Sequence, residues 1–213
     1  MNDAQQKIVK VLQGRSSRLA GMYEMALRTL QTPAESGLES ARVSIICHCI
    51  RELMMGVQTV LIDDPIERVR PSSGDLARKL RVLADKYPQL DLGAEEELIP
   101  VPKAVARVID SLISAARKEY GRNRDNVAAL VTGGGERNRN HPTVSQWLDM
   151  YNEYFVRWAH IDSHGDRPLP TDVELLTSIK FVEDVIDVCT APFFGNLSAV
   201  KDLLDDINAT FEE

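Results

Sequence analysis

Apolar residues recur at three- and four-residue steps along most of the chain, and no stretch has the strict alternation of a half-buried strand. The region before residue 62 is typical, with apolar side chains at Val43, Ile46, Ile50, Leu53, Val57 and Val60. This spacing places apolar residues on one helix face, which must be buried against other helices. The sequence therefore predicts an all-α fold, an antiparallel helical bundle in which short turns join sequential helices.

Capping and breaking residues predict where each helix begins and ends. Thr32 with Glu35, and Thr171 with Glu174, have the spacing of capping boxes at helix starts. Pro192 and Gly195 predict an interruption near the end of the chain. The predicted helices are 3–31, 32–62, 72–86, 102–132, 143–163, 171–188 and 198–211. We expect one domain over 1–213, with core helices at about 3–62 and 143–190 and a helical insertion at about 65–135.

The charge balance limits the partners of this chain. Lys and Arg number 25 against 32 Asp and Glu, which gives a formal net charge of −7. Proteins that bind long nucleic acids without sequence preference usually carry a basic face, so this class is not expected. Arginines concentrate in 68–71 and 121–139, so the net charge does not exclude a small phosphate-binding site.

Location is predicted from what the sequence contains near its start and in its apolar runs. Residues 1–20 have no apolar stretch of the kind that a signal peptide carries. The apolar runs are short and interrupted, so no membrane association is expected. Three cysteines suit reduced thiols better than a disulfide framework. We expect a cytoplasmic protein.

Residues 143–164 carry the most informative pattern in the chain. On a helical wheel one side is apolar and largely aromatic, and we expect it to face the core: Val144, Trp147, Leu148, Tyr151, Phe155 and Trp158. The opposite side is polar and includes Glu153, Arg157, His160 and His164. Glu153 and Arg157 are four residues apart, as are His160 and His164, so each pair is expected to be in contact.

Three interpretations of this polar face remain open. It is either a solvated surface, a zinc clip formed by His160 and His164 with Asp162 or Asp166, or a site of acid–base chemistry on a phosphodiester. Asp162 falls on the aromatic side of the wheel, and no other cluster of His and Cys completes a zinc shell. We therefore predict no metal and no cofactor. An arginine can hold phosphate oxygens, and a histidine can transfer protons near neutral pH.

Arg157-x6-His164, near the end of a late helix, resembles the Arg-x(4–6)-His motif of the HEPN superfamily. The resemblance implies a small all-α domain that forms a homodimer and acts as a metal-independent endoribonuclease in toxin–antitoxin or phage-defence systems. It implies that Arg157 stabilises the scissile phosphate and that His164 is the general acid or base, with His160 as the alternative. Trp158 departs from the family, in which a polar residue usually follows the motif arginine.

An early helix supplies the predicted supporting residues. His48, Arg51 and Glu52 are expected on the face opposite the apolar stripe of the helix before residue 62, and Glu153 supports Arg157. The resemblance implies that a polar residue from an early helix lies beside the motif. Ile45, Met55 and Ile62 share that second face, and such a mixture suits a homodimer interface.

The predicted partners are a second copy of the chain, an RNA substrate and a protein partner such as an antitoxin. The alternative function is a non-catalytic helical module of the same fold that binds a protein. In that case Arg157, His160 and His164 are structural polar groups. The position of the 157–164 face distinguishes the two, because catalysis requires two copies of it to meet in a cleft.

Overall fold

The computed structural model describes residues 1–62, 64–88, 90–91, 99–132, 138–160, 165 and 167–211, with the backbone alone described from 192 onward. The regular elements in these ranges are α1 (Asp3–Arg15), α2 (Ser17–Gln31), α3 (Glu39–Val60), α4 (Ser73–Ala84), α5 (Lys103–Val131), α6 (Pro142–Asp149), the π-helix π1 (Met150–Phe155), α7 (Val156–Ala159) and α8 (Asp172–Phe211). No strand occurs in the described part of the chain. The predicted all-α class is confirmed.

The chain divides into two compact units. The first comprises Met1–Pro65 and Asn126–Glu213, and the second comprises Ile66–Asp125. The sequence placed a helical insertion at about 65–135, a range that includes the whole second unit. That 1–213 folds as one domain stays a prediction.

The core of the first unit is built on α3. In the apolar stripe predicted for this helix Val60 is partly buried, and the other residues are buried: Val43, Ile46, Ile50, Leu53 and Val57. Helix α2 packs along it, and Gly56 permits the close approach because a Cβ there would collide with the side chain of Leu19. Among the described residues α3 is also the one helix long and apolar enough to cross a membrane, and 56% of that stretch is buried inside the bundle.

Two helix boundaries near the start of the chain differ from the prediction. The predicted helix 3–31 is two helices, because Ser16 is extended and its hydroxyl accepts a hydrogen bond from the Leu19 amide. The predicted start at Thr32 is wrong as well. Gly37 adopts a left-handed φ of 86°, its amide donates to the Glu39 carboxylate, and α3 begins at Glu39.

The segment from 142 to 160 keeps the predicted core face but changes its helical geometry. Val144, Trp147, Phe155 and Trp158 are buried, as predicted. Between α6 and α7, π1 has more residues in each turn than an α-helix, which rotates the following side chains relative to a uniform wheel.

The predicted end of this helix at Ser163 is wrong. The helix ends at Ala159, and His160 has an extended backbone with φ −111° and ψ 113°. His160 therefore does not share a helical face with Arg157. Residues 161–164 lie outside the described residues, so the expected contact between His160 and His164 does as well.

Helix α8 begins as predicted and continues further than predicted. The Thr171 hydroxyl accepts from the Glu174 amide while the Glu174 carboxylate accepts from the Thr171 amide, which is the predicted capping box. The predicted interruption at Pro192 and Gly195 is wrong, since α8 continues to Phe211. A proline removes one backbone donor from a helix, and here the remaining backbone continues the helix.

The second unit contains α4 and most of α5. Ser72 caps α4 in a reciprocal capping box with Asp75, close to the predicted start of this helix. Glu119 on α5 accepts hydrogen bonds from the amide and the hydroxyl of Ser73, at 2.9 and 2.6 Å. These contacts fix the start of α4 on α5. The capping interactions also hold the pKa of Asp75 and of Glu119 below the usual range.

Candidate functional site

The side chains of Arg51 and His160 meet at the surface of the first unit. Nη1 of Arg51 lies 3.2 Å from Nε2 of His160, although 109 positions separate the two residues in the sequence. Helix α3, which carries Arg51, packs against α7, and His160 directly follows α7. The packing of two helices therefore brings an early arginine to the end of the segment that carries Arg157.

Glu52 is the second partner of Arg51. Nη2 of Arg51 donates to Oε1 of Glu52 over 2.7 Å, and the Arg51 side chain is only 19% exposed. This hydrogen bond is the largest cause that holds the pKa of Glu52 below its usual range, and the positive charges of Arg51, His48 and Arg18 act in the same direction. The predicted supporting residues His48, Arg51 and Glu52 thus lie together.

Arg157 has a different local partner. Its Nη2 donates to Oε2 of Glu153, one helical turn earlier, over 3.0 Å. The two side chains are 37% and 71% exposed, so the pair faces solvent on at least one side. This contact uses one nitrogen of the guanidinium, and an arginine has five N–H donors. Arg157 is consequently held by a carboxylate while part of its surface is open to a ligand.

The structure does not test the zinc clip proposed from His160 and His164. In the described ranges no group of three or more His, Cys, Asp or Glu side chains is arranged to hold a metal ion. His164, Asp162 and Asp166, which the zinc clip requires, lie outside those ranges. The predicted catalytic role of His164 also falls on a residue that is not described.

The second face of α3 is less apolar at the surface than predicted. Ile45 is 47% exposed and Met55 is partly buried, as an interface face requires. Ile62 is buried at 7% exposure, so its assignment to that face is wrong. Ile62 lies beyond the last residue of α3, where the chain has left the helix and its side chain joins the core.

Tyr151 is a neighbour of this site that the sequence assigned only to the core. It lies in π1 and is half-buried. Burial is the main cause that raises the pKa of its hydroxyl; the charge of Arg51 lowers it and that of Glu52 raises it. The hydroxyl is therefore in the electrostatic field of both residues. A tyrosine in an otherwise apolar stripe is the sequence signal, but the π-helical turn that sets its direction is not visible in the wheel.

A second polar cluster lies in the core and was not predicted. The Tyr23 hydroxyl donates to Oε1 of Glu183 over 2.5 Å, and the Gln5 amide donates to the same oxygen over 3.0 Å. These residues connect α2, α8 and α1. Tyr23 and Glu183 are 1% and 6% exposed. Burial is the main cause that raises the pKa of Tyr23, and the carboxylate of Glu183 adds to it.

The fold and the surface cluster define an all-α helical-bundle protein with an arginine–histidine site at its edge. Comparison of the chain with protein-family models, with curated proteins and with solved structures finds no match. The function is therefore inferred from the residues of the site.

Proposed function

We propose that the chain is a HEPN-like, metal-independent endoribonuclease that acts as a homodimer in a prokaryotic toxin–antitoxin or phage-defence role. The 3.2 Å contact between Arg51 and His160 carries the proposal. It sets a polar group from an early helix beside the segment that carries Arg157, which is the arrangement that the resemblance implies. The helical bundle around the site supports the same assignment.

Arg157 is the group that holds the scissile phosphate. A guanidinium can bind two phosphate oxygens with parallel N–H groups, and it stabilises the charge that develops as the phosphorus becomes five-coordinate. An incoming phosphate must compete with the carboxylate of Glu153. An exposed ion pair is worth at most about 1 kcal/mol, so a dianionic transition state can displace it.

The chemistry is transfer of a phosphodiester to the neighbouring ribose hydroxyl. The 2′-oxygen bonds to phosphorus as the bond from phosphorus to the 5′-oxygen of the next nucleotide breaks. A base accepts the 2′-hydroxyl proton, and an acid donates a proton to the departing 5′-oxygen. The products are one strand ending in a 2′,3′-cyclic phosphate and one beginning with a free 5′-hydroxyl. His164 is assigned the proton transfers, with His160 as the alternative.

Cleavage of RNA in the presence of EDTA tests the proposal. Wild-type protein should cleave, and His164→Ala should lower the rate on the order of 10²–10⁴-fold, the usual effect of a general acid or base. Its melting temperature should match that of wild type, so that misfolding does not account for the loss. Full activity in His164→Ala, or loss of activity in chelator that zinc restores, would contradict the assignment.

The homodimer is tested separately by light scattering. The chain has a mass of 23.8 kDa, and we expect twice that value in solution. The exposed Ile45 and the partly buried Met55, on the same helix as Arg51, supply the mixed surface on which a second copy would pack. A monomer at tens of micromolar would remove the composite site and with it the catalytic proposal.

The second candidate is a non-catalytic helical module that binds a protein partner. One observation favours it: the arginines of the site already have carboxylate partners within the chain, Arg51 with Glu52 and Arg157 with Glu153. Such ion pairs neutralise charges at the edge of a helical bundle and require no catalytic role. Absence of ribonuclease activity in a purified homodimer, combined with unchanged partner binding in Arg157→Ala, would select this module.

A further inference from the structure

The contact between Arg51 and His160 constrains both the position of the imidazole and the location of its proton. An arginine side chain has N–H donors and no acceptor, and it stays protonated in proteins. The ring nitrogen that faces Arg51 Nη1 at 3.2 Å is Nε2 of His160. A hydrogen bond between them therefore needs a lone pair on Nε2, and the single proton of a neutral ring must then be on Nδ1.

We infer that Arg51 holds the proton of the neutral His160 ring on Nδ1, and that His160 serves the site as a hydrogen-bond donor and not as its general base. The first part depends only on the geometry of Arg51 and His160. The second part rests on the proposed ribonuclease function. Arg51 is thus a positioning residue that acts through His160.

Arg51 is well placed to impose this state because its guanidinium is itself held. Nη2 is bonded to Glu52 over 2.7 Å, and the side chain is mostly covered by its surroundings. In the neutral ring Nε2 is therefore engaged as the acceptor, and the Nδ1–H belongs to an exposed side chain.

This state separates the roles of the two histidines in the proposed reaction. With Nε2 occupied by Arg51, His160 cannot accept the 2′-hydroxyl proton without losing that contact. Its Nδ1–H, on the side of the ring that faces away from Arg51, can donate a hydrogen bond to a non-bridging phosphate oxygen. The general base must then be another group, and His164 is the residue that the motif provides.

The ring tautomer can be read directly from long-range ¹H–¹⁵N correlations of the full-length, ¹⁵N-labelled protein at about pH 8, where unperturbed histidines are neutral. His141 is a matched internal reference. Its Nδ1 accepts from the Thr143 amide at 3.3 Å, so its proton must be on Nε2. We expect opposite tautomers, with Nδ1–H for His160 and Nε2–H for His141. A spectrum in which His160 is protonated at Nε2 would overturn the inference.

Variants of Arg51 test whether this side chain determines the tautomer of His160. Arg51→Met keeps the apolar stem and removes the donor, so the His160 signals should move toward a mixture of tautomers. Arg51→Lys keeps a donor and should retain Nδ1–H, and Arg157→Met should leave His160 unchanged. An unchanged His160 spectrum in Arg51→Met would overturn the inference.

The cleavage rates of His160 variants test whether His160 acts as a hydrogen-bond donor or as the general base. The side-chain amide of Asn places an N–H near the position of Nδ1–H. His160→Ala should lower the cleavage rate by about 10²-fold, as removal of one positioned donor does, and His160→Asn should recover most of that loss. Equal inactivity of both variants would identify His160 as the base and overturn the assigned role. If wild-type protein cleaves no RNA, the proposed function fails, while the ring spectra still decide the tautomer.

Discussion

The two polar clusters of the first unit have similar chemistry and opposite surroundings. Glu183 in the core accepts from Tyr23 and Gln5, and its side chain is almost fully covered. At the surface, Arg51 contacts Glu52 and His160, and His160 is exposed. Both clusters connect residues that are far apart in the sequence. They differ in whether water or a ligand can reach them.

The difference in exposure predicts which cluster contributes more to stability and which is accessible to a ligand. A buried carboxylate without its donors is costly, so the Glu183 cluster must stay intact for the three helices to pack. The Arg51 cluster is partly exposed, so its contacts are expected to contribute little to stability and to be exchangeable for contacts with a ligand. Variants of the core cluster should therefore change stability, and variants of the surface site should change activity.

The largest effect is expected for Arg157→Ala. Loss of the guanidinium that we propose binds phosphate should lower RNA cleavage on the order of 10²–10⁴-fold, with the free energy of unfolding changed by less than about 0.5 kcal/mol. Arg28→Ala is the matched control, because Arg28 forms the same type of four-residue pair with Glu24 at 3.2 Å. Comparable activity losses in the two variants would show that Arg157 has no special role.

Tyr23→Phe should produce the next largest effect, on stability alone. It removes a hydrogen bond to a buried carboxylate, and the free energy of unfolding measured in urea should fall by about 1–3 kcal/mol. Tyr120→Phe is the control, since Tyr120 is 66% exposed and should change stability by less than about 0.5 kcal/mol. If both variants were equally stable, the core cluster would not have the role assigned to it.

Alkaline pH provides a related test of Tyr23. Its pKa is raised above the ordinary tyrosine value of 10.0, so in this range the unfolded chain loses the proton more readily than the folded protein does. The stability contributed by the buried hydroxyl is present in full below about pH 10 and is lost as the pH rises toward the folded pKa. Unfolding curves above pH 10 should therefore decline less steeply in Tyr23→Phe, by up to about 1.4 kcal/mol per pH unit. Parallel curves would contradict this.

The core faces of the helices and one cluster of polar residues could be predicted from the sequence. Three- and four-residue spacing correctly placed Trp147, Phe155 and Trp158 in the core, because burial of an apolar face dominates local structure. It also placed His48, Arg51 and Glu52 on one face. These are properties of a single helix, which neighbouring residues determine.

The remaining features depend on contacts between distant parts of the chain. Nothing in the local sequence marks His160 as the end of a helix; its partner is Arg51, on α3. The pairing of Tyr23 with Glu183 spans 160 positions, and a single glutamate on a helix carries no sign of burial. The π-helical turn is equally hidden, because its residues would also suit an α-helix.

The smallest effect is expected for Glu153→Gln. Removal of an exposed carboxylate should change the free energy of unfolding by less than about 0.5 kcal/mol, and the change should shrink as salt is added. Arg157 should then bind a phosphate without competition, so the affinity for RNA should rise. A decrease of 1 kcal/mol or more in the free energy of unfolding would show that the Glu153–Arg157 pair stabilises the fold, as the Glu183 cluster does.

The central claim is that the surface cluster cleaves RNA through the ribose hydroxyl without a metal. The most direct measurement compares two oligonucleotides in EDTA, one of ribonucleotides and one identical except for 2′-deoxyribose at the cleaved position. We predict cleavage of the first, with a 2′,3′-cyclic phosphate on the product, and none of the second. Equal cleavage of both, or no cleavage of the first by a stable homodimer, would contradict the claim.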